Sequence, residues 1–316
     1  MAKTLIIGTR RSMLALAQSR MVADLISRAH PDLLISLKEV VTKGDTNVSA
    51  SLPSIGGKGL FTAELEAELL AGSIDIAVHS LKDLPTEMPE DFEIVAVTKR
   101  VSYRDVLISS GNVGFKALPS GTIFGTSSPR REFQLRLLRP DLIFRDIRGN
   151  IDTRVKKVQS GEYAATVLAE AGLIRAGLTG SIAAEFSDAE ILPAPGQGAV
   201  AVQAKSGRAD LRELLSSIEC NAARLETVAE RSFLHALSAG CSAPVAALGT
   251  LKGDVLSLIT RCAARIERVD GREYGPCIET KGEVHLKSRV ASNQVKDAEE
   301  LGKSLAAVAT SKGFRI

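Results

Sequence analysis

The chain has 316 residues and a mass of 33.5 kDa, enough for two or three domains of about 100–200 residues each. Hydrophobic residues make up 45% of it and charged residues 24%, which excludes a disordered or collagen-like chain. Its 40 Lys and Arg nearly balance its 37 Asp and Glu, so the net charge of +3 does not indicate a protein that coats nucleic acid. Any anion site must therefore come from local clustering of arginine.

The sequence predicts neither a membrane span nor a secretory signal. The longest uncharged stretch, 232–251, is interrupted by His235, Gly240 and Pro244, and the N-terminus lacks an apolar signal region with a cleavage site. The four cysteines have neither CxxC nor zinc-ligand spacing. We therefore expect reduced thiols, no metal site and a cytoplasmic protein.

Short apolar runs alternate with helical patterns over the first two-thirds of the chain. This alternation predicts an α/β fold with mostly parallel sheets. Ser12 is the expected N-cap of the first helix, whose expected apolar face contains Leu14, Ala17, Met21, Val22, Leu25 and Ile26. The predicted strands are 5–8, 35–41, 74–79, 94–97, 106–109, 122–125, 142–144, 164–168 and 199–204.

The last third predicts a smaller α+β module that begins near 216–221. Its expected elements are a helix over 221–237, strands over 255–263 and 284–289, and a helix over 298–308.

Arginine recurs where predicted strands lead into helices. The segment IGTRRSMLALAQ contains Arg10 and Arg11 at such a place, and GTSSPRR places Arg130 and Arg131 at a helix start that Ser128 can cap. Because the helix dipole disfavours cations there, an anionic ligand with carboxylates explains the pair better than solvent does. We expect leucine at either position to hinder ligand binding and to leave the fold intact.

Three further arginines extend this pattern. Arg148 and Arg154 lie in RGNIDTR, and Arg175 follows AEAGLI. Ligands of open α/β sheets bind beyond the carboxyl ends of the strands, so the arginines predict a cleft for a polyanion. Solvated arginines in basic turns are the alternative.

Two segments contain candidates for covalent or acid–base chemistry. In DIAVHSLKDLP, Lys82 and Asp83 follow an apolar strand, and a carboxylate near cations stays ionised and can stabilise a developing cation. Cys241 lies between small residues in SAGCSAP, where a loop thiol is accessible to covalent chemistry. A surface turn and an inert buried thiol are the respective alternatives. The glycine-rich IGGKGLF and GQGAVA lack the context of nucleotide-binding loops.

Eight ordered motifs resemble the porphobilinogen deaminase (hydroxymethylbilane synthase) family: GTRRSMLALAQ, GGKGLFTAELE, DIAVHSLKDLP, GTSSPRR, RGNIDTR, LAEAGLIR, LPAPGQGAV and ERSFLHALSAGC. The resemblance implies an α/β fold with two periplasmic-binding-protein-like lobes and a small C-terminal α+β domain. The implied domains are 1–98 with 199–216, then 104–192, then 221–316.

The same resemblance implies a transferase that joins four porphobilinogen molecules head to tail, with loss of ammonia, to give hydroxymethylbilane for tetrapyrrole biosynthesis. A dipyrromethane cofactor would be bound to Cys241 through a thioether, with Asp83 as the catalytic residue. The cofactor-binding residues implied are Lys82, Ser128, Arg130 and Arg131; the substrate-binding residues are Arg10, Ser12, Arg148, Arg154 and Arg175; and Lys58 belongs to a mobile loop.

The resemblance also implies a monomer of the cytoplasm, or a processed plastid form, coupled functionally to uroporphyrinogen-III synthase, with no nucleic acid, membrane or metal partner. The sequence departs from the family pattern at Ser54, where many bacterial relatives have lysine, and at Met13 and Pro129. Two other classes share parts of the pattern. A two-lobed solute-binding or regulatory module would need neither Cys241 nor Asp83, and a phosphate-transfer enzyme would need a Walker loop.

Overall fold

The computed structural model describes residues 4–41, 62–240, 243–268, 271–288 and 290–315. The chain divides into two compact units, the first made of Met1–Val101 with Ala199–Ala223 and the second of Ser102–Gly198 with Arg224–Ile316. Ser54, Lys58 and Cys241 lie outside the described residues. Within the described ranges, no helix combines the length and apolar character needed to cross a membrane.

The first unit is built on a five-stranded sheet of order β2-β1-β3-β10-β4. Two helices pack on its opposite faces. On one side, Val22 and Ile26 of the first helix contact the sheet, and on the other Leu65 and Leu69 of the second helix do so. Its elements are β1 (Thr4–Arg10), α1 (Met13–Ala29), β2 (Leu34–Val40), α2 (Ala63–Leu70), β3 (Ile76–Ser80), β4 (Phe92–Val97), β10 (Val200–Lys205) and α6 (Ala209–Leu215).

The second unit begins with another five-stranded sheet, of order β7-β6-β8-β5-β9. Phe124 lies at the centre of its core, and Phe115 packs edge-on against Phe124 and Phe186. The elements of this part are β5 (Asp105–Ser109), β6 (Ile123–Gly125), α3 (Pro129–Leu138), β7 (Ile143–Arg145), α4 (Ile151–Gln159), β8 (Ala165–Ala169), α5 (Glu170–Ala176) and β9 (Ala184–Glu185).

The rest of the second unit is a three-stranded antiparallel sheet, β11-β12-β15, with two helices on one face. These helices approach closely at Gly302, where a Cβ would lie 2.4 Å from the Ala229 carbonyl oxygen. The elements are α7 (Asn221–Ala236), β11 (Val245–Lys252), β12 (Val255–Cys262), the hairpin of β13 (Arg265–Arg268) and β14 (Gly271–Tyr274), β15 (Ile278–His285) and α8 (Ala291–Ser311).

The predicted fold class, two α/β lobes with mostly parallel sheets followed by a small α+β part, is confirmed: in each five-stranded sheet four strands run in one direction and one strand opposes them. In the first sheet β1 is parallel to β2 and β3, whereas β10 is antiparallel to β3 and β4. In the second, β6 is parallel to β7 and β8, whereas β5 is antiparallel to β8 and β9. Strand β10 enters the first sheet only after the chain has passed through the second unit, so neighbouring segments of sequence do not reveal its direction.

Ser12 is the N-cap of α1, as predicted, and its Oγ accepts a hydrogen bond from Ala15 N at 3.3 Å. The buried stripe of α1 is Ala15, Gln18, Ser19, Val22 and Ile26, so it is displaced from the predicted face. The polar Gln18 is buried because its Nε2 donates to Ser80 Oγ at the end of β3 (2.8 Å). Near the C-terminus, β15 and α8 begin earlier than predicted, because charged and polar residues predominate in the first half of each.

Candidate functional site

In the first unit, the sequence-predicted residues collect at one edge of the sheet. Strands β1 and β3 are parallel neighbours, with Gly8 opposite Ala77, so their carboxyl ends lie together. Arg10 ends β1, and Ser12 caps the helix that follows it. Lys82 and Asp83 follow β3 at the same edge. The structure therefore brings these four residues together.

Lys82 and Asp83 form one turn of 3₁₀-helix, Leu81–Asp83, that two buried leucines hold in place. Leu81 and Leu84 are each 1% exposed and pack in the same cluster under the turn. Leu81 N donates to the Ala199 carbonyl (3.1 Å), and Leu84 N donates to the Leu81 carbonyl (3.2 Å). Asp83 is exposed and Lys82 is half-buried. The turn thus presents a carboxylate to solvent on a fixed support.

A buried histidine beside this turn was not singled out from the sequence. His79 lies in β3, and Gln203 Nε2 donates to Glu66 Oε1 (3.0 Å), which leaves Gln203 Oε1 to accept from His79 Nε2 (3.0 Å). This series of hydrogen bonds places the imidazole proton of His79 on Nε2. Burial and the nearby Arg10 lower the pKa of His79 to about 4 against the opposing effect of the Gln203 hydrogen bond, so the ring is neutral near pH 7.

The second unit collects the remaining predicted residues at the corresponding edge of its own sheet. Strands β6, β7 and β8 are mutually parallel through β6, so the segments that follow them lie at one edge. Those segments contain Ser128, Arg130, Arg131, Arg148, Arg154 and Arg175. Because β5 is antiparallel to β8, its first residue, Asp105, lies at this edge too, opposite Ala169.

Asp105, Arg130 and Arg131 form a buried charged triad, and they are 1%, 4% and 7% exposed. Arg130 Nη1 donates to Asp105 Oδ2 and to the Leu192 carbonyl, both at 2.6 Å. Arg131 donates to Asp105 Oδ1 through Nε (3.1 Å) and Nη2 (2.7 Å). Gln197 Nε2 adds a further donor to Oδ1 at 3.0 Å. The carboxylate is thus saturated with donors.

The charges of the triad do not cancel. Burial raises the pKa of Asp105, but Arg130 and Arg131 outweigh it and hold that pKa well below its usual range. Burial, with the repulsion from Arg131, lowers the pKa of Arg130. Two guanidinium groups and one carboxylate leave one positive charge in a largely water-free environment. Such a site favours an anion strongly, because little solvent screens the charge.

Within the described part of the chain, Arg130 donates only through Nη1, and Arg131 only through Nε and Nη2. Their other guanidinium nitrogens therefore remain for a ligand. Ser128 occupies the N-cap position of α3, but its side chain makes no capping bond, in contrast to the sequence-based expectation. From the sequence, leucine at 130 or 131 was expected to leave the fold intact. The structure instead predicts that each substitution destabilises the fold, because it would remove a partner of the buried Asp105 carboxylate.

The other arginines are less buried. Arg154 Nε donates to the Gly149 carbonyl at 2.8 Å, which ties α4 to the loop that contains Arg148. Arg175 Nη2 donates to the Gly198 carbonyl at 2.7 Å, while its buried Nε meets no acceptor among the described residues. Burial lowers the pKa of Arg175 to about 10, which leaves it charged near pH 7. An unsatisfied buried donor of this kind suits a ligand oxygen.

The GQG motif has a structural role in this edge. Gly198 has φ of +88°, and a Cβ there would lie 1.9 Å from the Ser102 carbonyl oxygen, so no other residue fits. Gln197 donates to Asp105 and to the Tyr103 carbonyl (2.8 Å). The motif therefore supports the triad, consistent with its rejection as a nucleotide site.

Comparison with known proteins gives the family. The family model described as "Porphobilinogen deaminase, dipyromethane cofactor binding domain" matches residues 5–213, and "Porphobilinogen deaminase, C-terminal domain" matches residues 224–310. The chain belongs to the porphobilinogen deaminase family. The sequence-based predictions of a transferase of the hydroxymethylbilane synthase type and of a dipyrromethane cofactor agree with that membership.

Curated porphobilinogen deaminases are similar over most of their length. That of Roseiflexus sp. (strain RS-1) is 45% identical, covering 89% of this chain and 93% of the relative, and that of Bacillus subtilis (strain 168) is 38% identical, covering 100% and 95%. Among solved structures, the Bordetella pertussis BvgS VFT2 domain aligns with 68% of this chain and 86% of its own, at 14% identity and a TM-score of 0.41.

Sequence reasoning missed the partners of the site residues. The residues that it did not single out are Asp105, Gln197, and His79 with the hydrogen bonds that connect it through Gln203 to Glu66. One signal was present in two cases: Asp105 opens the apolar run DVLIS, and His79 ends the apolar run IAVH. A charged or titratable side chain in such a run needs a buried partner. Cys241 and Lys58 lie outside the described residues, and their roles stay predictions.

Proposed function

We propose that the chain is a hydroxymethylbilane synthase that joins four porphobilinogen molecules head to tail, with loss of ammonia, on a dipyrromethane bound to Cys241 through a thioether. The observation that carries this proposal is the buried triad of Asp105, Arg130 and Arg131, with its uncompensated positive charge at the ligand-binding edge of an α/β sheet. A site of this kind favours an anionic ligand, and Arg148, Arg154 and Arg175 on segments at the same edge extend this preference to a polyanion.

The carboxylates of the pyrroles match this demand. Each porphobilinogen unit has an acetate and a propionate, so every addition brings two carboxylates, which arginine binds bidentately. We assign Ser128, Arg130 and Arg131, with Lys82, to the carboxylates of the cofactor. Arg148, Arg154 and Arg175, with Arg10 and Ser12, are assigned to those of the substrate and the growing chain.

Asp83 is assigned as the catalytic residue. When ammonia leaves porphobilinogen, a cation forms, and a fixed carboxylate stabilises it without reorganising. The support from Leu81 and Leu84 fixes the position of Asp83, and its exposure allows it to meet a ligand. The same carboxylate can accept protons from pyrrole nitrogen.

The dipyrromethane supplies the primer to which the substrate units are added, and it stays on the protein when the product leaves. Donors that remain on Arg130 and Arg131, together with the buried Nε of Arg175, fit a group that has several carboxylates. We assign Lys58 to a loop that covers the ligand.

The test combines three measurements on the purified full chain: colour with Ehrlich's reagent, intact mass, and hydroxymethylbilane formed from porphobilinogen. We expect the colour, a mass excess of one dipyrromethane, and product. Cys241→Ser should lose all three, whereas the matched control Cys277→Ser should keep them. A wild-type chain with neither colour, extra mass nor product would overturn the proposal in favour of a binding module.

Four finer statements belong to the same proposal. We propose a monomer of the cytoplasm that is coupled functionally to uroporphyrinogen-III synthase, the enzyme class that consumes hydroxymethylbilane. We also propose the division into domains 1–98 with 199–216, 104–192, and 221–316. What supports this division is the break between the two family matches, at 213 and 224, and the separate core of the C-terminal part.

A further inference from the structure

The hairpin β13–β14 of the C-terminal part contacts the segments that contain Arg131 and Arg148. Arg272, on β14, donates through Nη1 to Glu132 Oε2 at 2.8 Å and through Nη2 to Asp146 Oδ1. One guanidinium group thus bridges two carboxylates from separate segments. None of the eight family motifs includes this hairpin.

The contact is protected from solvent on the Glu132 side and more open on the Asp146 side. The Arg272 side chain is 22% exposed, that of Glu132 only 4% and that of Asp146 43%. Burial lowers the pKa of Arg272, but the hydrogen bond and charge of Asp146, with those of Glu132, outweigh it and raise that pKa above its ordinary value. Two residues along, the ring of Tyr274 packs against that of Phe133, with centroids 6.1 Å apart. The hairpin therefore makes a polar and an apolar contact with the first turns of α3.

Both carboxylates are adjacent to residues assigned to ligand binding. Glu132 follows Arg131 directly in α3, and Asp146 lies two residues before Arg148 in the connection from β7 to α4. The backbone at Asp146 is fixed from the other side as well, since Tyr163 Oη donates to its carbonyl at 2.7 Å. Arg272 thus joins these two connections through their side chains, in addition to the hydrogen bond from Ser127 Oγ to the Ile147 carbonyl (2.9 Å).

We propose that Arg272 is a positioning residue that clamps the connection after β6 to the connection after β7, and so holds Arg130, Arg131 and Arg148 in the arrangement that binds the ligand carboxylates. Its effect on turnover rests on the proposed function. Its effect on the two connections does not. Because the C-terminal part contains Cys241, the clamp also links the segment that would anchor the cofactor to the arginines that would bind it.

The test compares Arg272→Met, which keeps the aliphatic stem, with Arg272→Lys and with the matched control Arg261→Met. Arg261 forms a similar pair with Glu279 (Nε–Oε2 2.7 Å, side chain 16% exposed) within the C-terminal sheet. For Arg272→Met we expect KM for porphobilinogen to rise by about tenfold and kcat to change much less, since misplaced binding groups weaken binding and leave the Asp83 turn intact. Arg272→Lys should recover part of the loss, because lysine keeps the charge without the fork.

A purely structural role would instead lower the active fraction, and thus the apparent kcat, with KM unchanged. Hydrogen exchange of the same full-length proteins gives a readout that needs no activity: Arg272→Met should raise exchange in 126–136 and 146–150, and Arg261→Met should not. Equal KM and equal exchange in the two variants would overturn the clamp. A wild type that is inactive and without dipyrromethane would overturn the proposed function, and the exchange result would still decide the clamp.

Discussion

Asp105→Asn is expected to destabilise the ligand-free protein more than loss of Arg131 does. The carboxylate of Asp105 accepts four hydrogen bonds, from Arg130 Nη1, Arg131 Nε, Arg131 Nη2 and Gln197 Nε2. Asparagine keeps the size of the side chain but has one acceptor oxygen, and its amide group would point two donors at guanidinium donors. The buried charge would also rise from one positive unit to two.

The size of the effect follows from the burial of the three groups. Removing one partner of a buried ion pair costs about 3–5 kcal/mol, and Asp105→Asn leaves two guanidinium groups unpaired, so we expect the upper part of that range. Arg131→Met removes two hydrogen bonds but also removes the repulsion that lowers the pKa of Arg130. The neutral Arg130–Asp105 pair remains, so we expect a cost of about 1.5–3 kcal/mol.

The assay is equilibrium urea unfolding at neutral pH, followed by circular dichroism, in a Cys241→Ser background so that no cofactor contributes. The urea midpoint should be highest for the parent, lower for Arg131→Met and lowest for Asp105→Asn. The midpoint of Arg131→Lys should lie between those of the parent and Arg131→Met. If Arg131→Met proved as destabilising as Asp105→Asn, the inference of an uncompensated buried charge would be wrong.

Three further outcomes follow from the site. Asp83→Asn should keep the fold and most of the cofactor but lower turnover by about 10²–10³, with partial activity in Asp83→Glu; product formation with cofactor content checked by mass tests this, and near-normal turnover in the amide variant would return the turn to a surface role. Cys241→Ser should have the mass of the bare polypeptide; any retained excess would place the anchor elsewhere. In the folded protein the pKa of His79, about 4, lies below its ordinary value of 6.5, so the unfolded chain binds more protons between these two values. The stability that His79 contributes is therefore complete above pH 6.5 and falls by about 3 kcal/mol as the pH drops to 4. Unfolding of the wild type and His79→Gln across that range should therefore converge on acidification, and a constant difference would contradict the assignment.

Strands β3 and β5, which position Lys82, Asp83 and Asp105, were accessible to sequence reasoning because they are buried on both faces. In β3 and β5 nearly every residue is buried, so continuous apolar runs mark them. The edge strand β15 alternates Glu279, Lys281, Glu283 and His285 with residues of which only Ile278 and Val284 are apolar, and only its last residues were predicted. The direction of β10 was not accessible in the same way, because the residues that pair β10 with β3 lie more than a hundred positions apart.

The individual site residues were predicted from motifs, but their partners were not. Nothing local in GTSSPRR indicates that Arg130 and Arg131 share one carboxylate, since Asp105 is 25 residues away from Arg130. A basic pair at a helix start therefore suggested that both side chains face a ligand. In the structure the pair is buried, and only some of its guanidinium nitrogens remain to donate to a ligand. Arg272 was equally hidden, because its two partners lie 140 and 126 residues away.

In the triad, the same uncompensated positive charge lowers the stability of the ligand-free fold and favours binding of an anionic ligand. Asp105 cancels one of two buried positive charges, and its hydrogen bonds fix Arg130 and Arg131 without neutralising both. A second carboxylate from the protein would stabilise the ligand-free fold further, but it would occupy the donors that a pyrrole carboxylate needs. With one carboxylate, the remaining charge is a cost to the free protein that an anionic ligand relieves, so binding and folding become thermodynamically linked. The clamp at Arg272 fits the same logic, because Glu132, the acidic residue next to the triad, is directed to Arg136 and Arg272 rather than to the arginines that bind the ligand.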